Sequence, residues 1–183
     1  KEKVLIMRLM RRKIDDFLKE WKENEDRLPL IVKGARQIGK TASIMQFAND
    51  NYKNVVAINF VLQQKFKSIF DDGYDVDSIV RNITLIDPSI ELEPGNTIFF
   101  FDEMQDCPVC ATSLKAFKID GRYDVVCSGS LMGINYQEIE SNSVGYKEDY
   151  TMHSMDFEEF LWAKGYDSAF VERLFEKMVS VTP

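Results

Sequence analysis

Histidine occurs once in these 183 residues and cysteine three times. Chemistry that needs two imidazoles, for a metal or for proton transfer, has only His153 to draw on. Three cysteines, an odd number, do not make a disulfide framework, and a reducing cytoplasm is the simplest setting. No run of eighteen apolar residues exists, so no membrane-spanning helix is expected. Basic charge is also short. Against 30 Asp and Glu stand 23 Lys and Arg, and the net charge of −7 repels nucleic acid and anionic membranes over the surface as a whole. Repeats and low-complexity segments are absent. What is present is 45% hydrophobic and 12% aromatic, enough for a sizeable core and contrary to disorder, at a length that suits one domain. The start, "KEKVLIMRLM", has neither an initiating Met nor a signal peptide's long apolar core, so the chain reads as a piece of a longer protein.

Met10, Ile14, Phe17, Leu18 and Trp21 recur at helical spacing, which predicts an amphipathic lead-in helix over "MRRKIDDFLKEWK". Arg8, Arg11, Arg12 and Lys13 form the one basic cluster and read as a solvated face of that helix. Leu28 to Val32, short, apolar and followed by glycine, reads as a buried strand, and Lys40 to Asn49 as a helix. "NVVAINF" (54–60) is a second strand, rich in β-branched residues. In "DVDSIVRNITLI" Asp77 is the expected helix cap, with Ile79, Val80 and Ile83 on one face. "TIFFFDE" (97–103) is an almost unbroken apolar run that stops at two acids, and "YDVVCSGS" (123–130) is another such run. Neither alternates with period two, so both faces should be buried, as in a parallel sheet covered by helices. "YKEDYTMHSM" offers a fifth, more exposed strand that carries His153. "DFEEFLWAKG", capped by Asp156 with Glu159 three residues on, and "DSAFVERLFEKMV" close the chain as helices. Strands alternating with helices give an α/β fold with a parallel sheet.

Between the first strand and its helix lies "KGARQIGKT". Gly34-x-x-x-x-Gly39-Lys40-Thr41 matches the phosphate-binding loop pattern in full, in the strand-to-helix context the pattern requires. Glycines let backbone N–H groups turn inward around phosphates, and the following helix directs its positive end at the same anion. Residues 34 to 42 (Gly34, Ala35, Arg36, Gln37, Ile38, Gly39, Lys40, Thr41 and Ala42) are the expected nucleotide-binding stretch. Lys40 is suited to the β- and γ-phosphates, and the Thr41 hydroxyl to Mg²⁺. The acids narrow the chemistry. Asp102 and Glu103 stand at the carboxyl end of a buried strand, where open α/β sheets bind ligands. Asp102 suits Mg²⁺, directly or through water, and Glu103 suits orienting the water that attacks the γ-phosphorus. If the "VVCSGS" strand lies between these two, Ser128 or Ser130 faces the γ-phosphate or that water; ordinary turn chemistry after a strand explains the same residues.

"LPLIVKGARQIGKT", "VVAINF", "TIFFFDEMQD", "VVCSGSLMGI" and "MDFEEFLWAKG", in this order, resemble the prokaryotic AAA-type ATPases. In that family an N-terminal AAA domain precedes a C-terminal domain of poorly understood function. The resemblance covers nearly all of residues 10 to 165. It implies the P-loop NTPase three-layer αβα sandwich with a mostly parallel five-stranded sheet in the AAA+ order 5-1-4-3-2. It also implies a lead-in over 1–26, an ATPase core over 27–165, and a helix over 166–183 leading towards a further region. ATP rather than GTP is implied, and no N-K-x-D guanine-reading motif is present. The expected partners are ATP or ADP and a protein partner or the protein's own C-terminal domain. Nucleic acid is expected only through that further region or the Arg8–Lys13 cluster. AAA+ enzymes commonly carry an arginine finger before strand five, and "LMGINYQEIESNSVGYK" has none. Lys147 is its nearest cation and lacks the planar fork, and Arg173 is the nearest counterpart of a lid sensor. Slow turnover follows from those departures.

Other signals carry less. Cys107 and Cys110 in "CPVC" have redox or zinc-knuckle spacing, but only Cys127 and His153 could complete a zinc site, and a turn after the acid strand explains them. Asp15-Asp16 and Asp71-Asp72 read as solvated helix acids. The reading is an Mg²⁺-dependent ATPase. A nucleotide-gated binding module with slow turnover is its rival, and a small-molecule kinase is the weaker third.

Overall fold

The computed structural model describes residues 10–130 and 145–179. Five strands, β1 (Leu30–Gly34), β2 (Asn54–Asn59), β3 (Thr97–Asp102), β4 (Asp124–Ser130) and β5 (Glu148–Thr151), form one sheet in the order β2-β3-β4-β1-β5. Every neighbouring pair is parallel. Read from the other edge this is 5-1-4-3-2, with the Ser128 strand between the glycine-loop strand and the acid strand.

The unbroken apolar runs split between two cores because successive strand residues point to opposite faces. From "TIFFF", Phe99 and Phe101 enter one core, while Ile98 and Phe100 enter the other. The first core lies under α3 (Val76–Ile86) and α4 (Cys110–Asp120), with Phe66, Ile69 and Phe70 added from a 3₁₀ turn at Gln64–Phe70. Phe99 stands 5.3 Å from Phe117 and meets Tyr123 edge-on at 5.4 Å. Each buried phenylalanine contributes roughly 2–3 kcal/mol. The second core lies under α1 (Lys13–Glu23) and α2 (Lys40–Asn51), and takes Ile14, Leu18 and Trp21 from the first and Ile44 and Phe47 from the second. Two helices, the short α5 (Phe157–Ala163) and the longer α6 (Ser168–Val179), follow the edge strand β5.

Several local expectations shift. β1 starts two residues later than its apolar run and continues through Gly34, because pairing with β4 carries it on. The cap of α3 is Asp75, whose carboxylate accepts from the Ser78 N–H at 2.9 Å; Asp77 lies in the first turn and pairs with Arg122 at 2.6 Å. α1 begins at Lys13, leaving Met10 outside it and exposed. β5 ends at Thr151, so His153 is not on a strand. Asp156 and Glu159 do form the reciprocal cap of α5, at 2.9 and 3.1 Å.

Within the basic cluster Arg12 is the correction. Lys13 Nζ lies 2.7 Å from both Asp156 and Glu158, and Arg11 bonds Asp16 and Ser168 and lies over the Trp162 ring. Arg12 is buried against Glu159. Arg11 and Lys13 stay exposed, as a solvated face should, whereas Arg12 is taken into the fold by Glu159 of α5, which periodicity along α1 alone does not reveal. Arg8 and the 131–144 stretch searched for an arginine finger lie outside the described residues.

Candidate functional site

The loop from Gly34 to Thr41 joins the carboxyl end of β1 to the start of α2. Two of its residues are left-handed, Gln37 at φ 63° and Gly39 at φ 98°. Gly39 adopts this freely, whereas Gln37 holds a conformation costing about 1 kcal/mol or more, a strain that clusters at ligand sites. Gly34 is required by space: a Cβ there would meet the Met152 carbonyl oxygen at 2.4 Å and the Ile38 side chain at 2.7 Å. Gly39 caps α2 with no side chain, so the N–H groups of the first turn have no side-chain acceptor and stand ready for an anion.

Lys40 Nζ donates to the carbonyls of Gly34 at 3.0 Å and Ala35 at 2.6 Å. Burial draws its pKa below the ordinary lysine value, against the opposing pull of Glu103 and Asp102. In front of the loop opens a cavity of about 660 Å³, within the range of small-molecule sites. Arg36, Gln37, Gly39, Lys40, Thr41 and Ala42 line it from the loop, and Asn59 and Glu103 from the sheet edge. A second cavity of about 380 Å³ shares Gln37, Gly39 and Ala42 with it and reaches Met10, Arg12 and Met155.

Asp102, the last residue of β3, is buried, and all its contacts are neutral donors. Its Oδ2 accepts from the Thr41 hydroxyl at 3.1 Å and the Asn59 amide at 3.0 Å. Its Oδ1 accepts from the Ser128 hydroxyl and from the Glu103 N–H at 3.1 Å. Among the described residues it makes no ion pair. A buried carboxylate without an ion pair is costly, and a carboxylate beside a hydroxyl is a donor pair that a hard divalent ion such as Mg²⁺ fits.

Glu103 is left-handed at φ 56°, which turns the chain immediately after β3. Its carboxylate accepts from the Gln105 amide, whose oxygen accepts from the Ser130 N–H at 3.2 Å. Thus Lys40, Thr41, Asp102, Glu103, Ser128 and Ser130 converge at one sheet edge, Ser128 through its hydroxyl and Ser130 through its backbone. Arg36 lines the cavity, while the Ile38 carbonyl faces away to Arg12. Asn59 and Gln105 were missed as site residues. The sequence held a signal for both: Gln105 completes the "DE-x-Q" block, and Asn59 ends the strand before the acids, opposite Asp102 in register.

The weaker signals stay apart from this edge. Cys107, Cys110 and Cys127 are free and buried; burial pushes the Cys107 thiol up to about 12, and contact with Cys127 raises Cys110. No group of three or more His, Cys, Asp and Glu that could hold a metal occurs among the described residues. Lys147 is tied to Asp149 at 2.6 Å, and Arg173 donates to the Ala169 carbonyl within α6.

A family model described as an AAA domain matches residues 26–161, well over half of the chain. The chain belongs to the AAA domain family. Its fold and sheet order make it an AAA-type P-loop ATPase module, which binds nucleotide. An uncharacterised protein of Haemophilus influenzae is 24% identical over 154 residues, 82% of this chain, and the chain spans only 36% of the length of that relative. Among solved structures, C. elegans PCH-2 is similar at a TM-score of 0.47 and 11% identity, covering 78% of this chain and 42% of that one. A RuvB variant from Thermotoga maritima is similar at 0.45 and 16%, covering 75% and 43%. No helix among the described residues is long and apolar enough to cross a membrane.

Proposed function

We propose that this AAA domain binds Mg·ATP between the 34–41 loop and the carboxyl end of the sheet, and hydrolyses it to ADP and phosphate. The observation that carries the reading is the contact between Thr41 and Asp102. Two residues 61 positions apart meet at 3.1 Å, at the mouth of a glycine loop, and the carboxylate makes no ion pair among the described residues. In this reading Thr41 and Asp102 hold Mg²⁺, which, when bound, neutralises phosphate charge. The first-turn N–H groups of α2 and Lys40 hold the β- and γ-phosphates. The larger cavity takes the phosphates, and the smaller one beyond Gly39 takes the base. Glu103 orients the attacking water, and Ser128 holds Asp102 in place. The core extends over 27–165, with 1–26 as a lead-in and 166–183 leading towards a further region that supplies or contacts the partner.

Replacing Lys40 by Ala tests the binding half. Calorimetry should show Mg·ATP affinity largely lost in a protein that still melts cooperatively; unchanged affinity refutes the assignment. Replacing Glu103 by Gln tests the chemical half. Single-turnover phosphate release should fall while equilibrium binding stays, and a variant as active as its parent would show the base misplaced.

A second reading, a nucleotide-gated module with slow turnover, is favoured by one observation. One oxygen of the Glu103 carboxylate, Oε2, is taken up by the Gln105 amide, which leaves the other alone to receive a water proton. Turnover slower than nucleotide release, measured on the same protein, would support it.

A further inference from the structure

Arg12 is a charged side chain with only 8% of its surface exposed. Its guanidinium joins three separate parts of the fold. One terminal nitrogen donates to the Ile38 carbonyl of the loop at 2.7 Å, and the other to the His153 carbonyl at 2.8 Å. Its Nε stands 3.1 Å from Oε1 of Glu159, itself buried. Glu159 also accepts from the Lys13 N–H at 2.8 Å and closes the cap of α5. Arg12 meanwhile caps α1, its own N–H donating to Asp15 at 2.8 Å. The two terminal nitrogens of the planar fork serve the two carbonyls at once, which an ammonium cannot do from one point, while Nε meets Glu159 as an ion pair without a hydrogen bond.

The peptide that Arg12 holds matters. The Ile38–Gly39 bond is trans, as every peptide bond is among the described residues, so its carbonyl and N–H point to opposite sides. Drawing the Ile38 oxygen onto Arg12 therefore turns the Gly39 N–H away from Arg12. Arg12 lines the smaller cavity and is absent from the lining of the larger one, whereas Gly39 lines both. The same Gly39 needs φ 98° to serve as the cap of α2. We propose that Arg12 is a positioning residue for the loop: it sets the Ile38–Gly39 peptide with its N–H toward the phosphate side, and through Glu159 ties that setting to α5. Nucleotide affinity then depends on a helix that touches neither cavity through Glu159. This inference rests on the reading of residues 34–41 as a phosphate-binding loop.

The test uses Arg12→Lys and Glu159→Gln, which keep volume, plus the double variant. Two readouts are taken: the amide resonance of Gly39 in nucleotide-free protein, and Mg·ATP affinity by calorimetry. Glu159→Gln should shift the Gly39 resonance although it touches no loop atom, and should weaken Mg·ATP by about tenfold, the lower end of what a contact to a charged group is worth. Arg12→Lys should do the same, and the double variant should add little further, because the two act through one contact. Rescue by lysine, or both single variants matching the parent in Gly39 resonance and affinity, overturns the proposal. So does a fall in melting temperature alone. If the parent itself fails to bind Mg·ATP, the proposed function falls, and the Gly39 resonance in Glu159→Gln still decides the role of Arg12.

Discussion

Asp102 and Asp124 sit on neighbouring strands at opposite ends of the sheet, and their surroundings differ in one respect. Asp124 opens β4 and is met by Arg27 through both carboxylate oxygens, at 2.7 and 2.9 Å, with the Tyr52 hydroxyl at 2.7 Å. Burial and the Asp124 charge push the Tyr52 phenol's pKa upward, so it remains a donor. Charge there is cancelled within the chain. Asp102 closes β3 and is met by two hydroxyls and two amide N–H groups, all neutral dipoles; it makes no ion pair among the described residues, and the Lys40 ammonium acts on it only at longer range. The first arrangement ties α1's following loop and α2's end to the sheet, and is complete. The second leaves a negative charge for something else to neutralise. Completeness marks structure, and an unbalanced charge beside a strained loop marks a site.

That contrast can be broken at several points. Lys40→Ala should have the largest effect, lowering Mg·ATP affinity by about a hundredfold, the upper end of the roughly 1.5–3 kcal/mol that a hydrogen bond to a charged group contributes. Calorimetry beside a melting curve checks that the fold survives. Asp124→Ala should act on stability alone. Removing one partner of a partly buried pair leaves Arg27 and Tyr52 unmatched and should cost about 2–3 kcal/mol in urea unfolding, with affinity within about twofold of the parent. Asp102→Asn should do the reverse. It removes an unbalanced charge, so stability should hold or rise, while the Mg²⁺ dependence of nucleotide binding should disappear; a loss of stability as large as that of Asp124→Ala would erase the distinction. The smallest effect belongs to a position remote from both aspartates. Asp156→Ala should cost about 1 kcal/mol through the lost cap of α5, read by the same unfolding curve.

Much of the site was visible before folding. The glycine loop can be read because its chemistry is local: the turn, the lysine and the hydroxyl are all within eight residues. The "FFFDE" run can be read because a strand buried on both faces must be continuously apolar until it reaches the acids at its carboxyl end. What misled was charge on α1. Arg12 is a surface residue by periodicity and a buried one by structure, because Glu159 lies 147 positions away and no helical pattern signals its arrival. Asn59 and Gln105 were missed for a related reason, since each gains its role only from a neighbour on another strand. Likewise, His153 fell beyond β5 because the pairing with β1 stops at Thr151.

By itself the amino-acid sequence determined the alternation of strands and helices, the two-sided burial of the sheet and the phosphate-loop pattern. These depend on contacts or periodicities within a few residues, and hydrophobic patterning encodes them directly. Only the tertiary structure decided which acids keep an unbalanced charge, which cations are consumed internally, and which peptide of the loop is held by Arg12. Those outcomes turn on distances between residues far apart in the chain. A buried charge is stable or poised according to partners that only the folded sheet and its covering helices bring within reach.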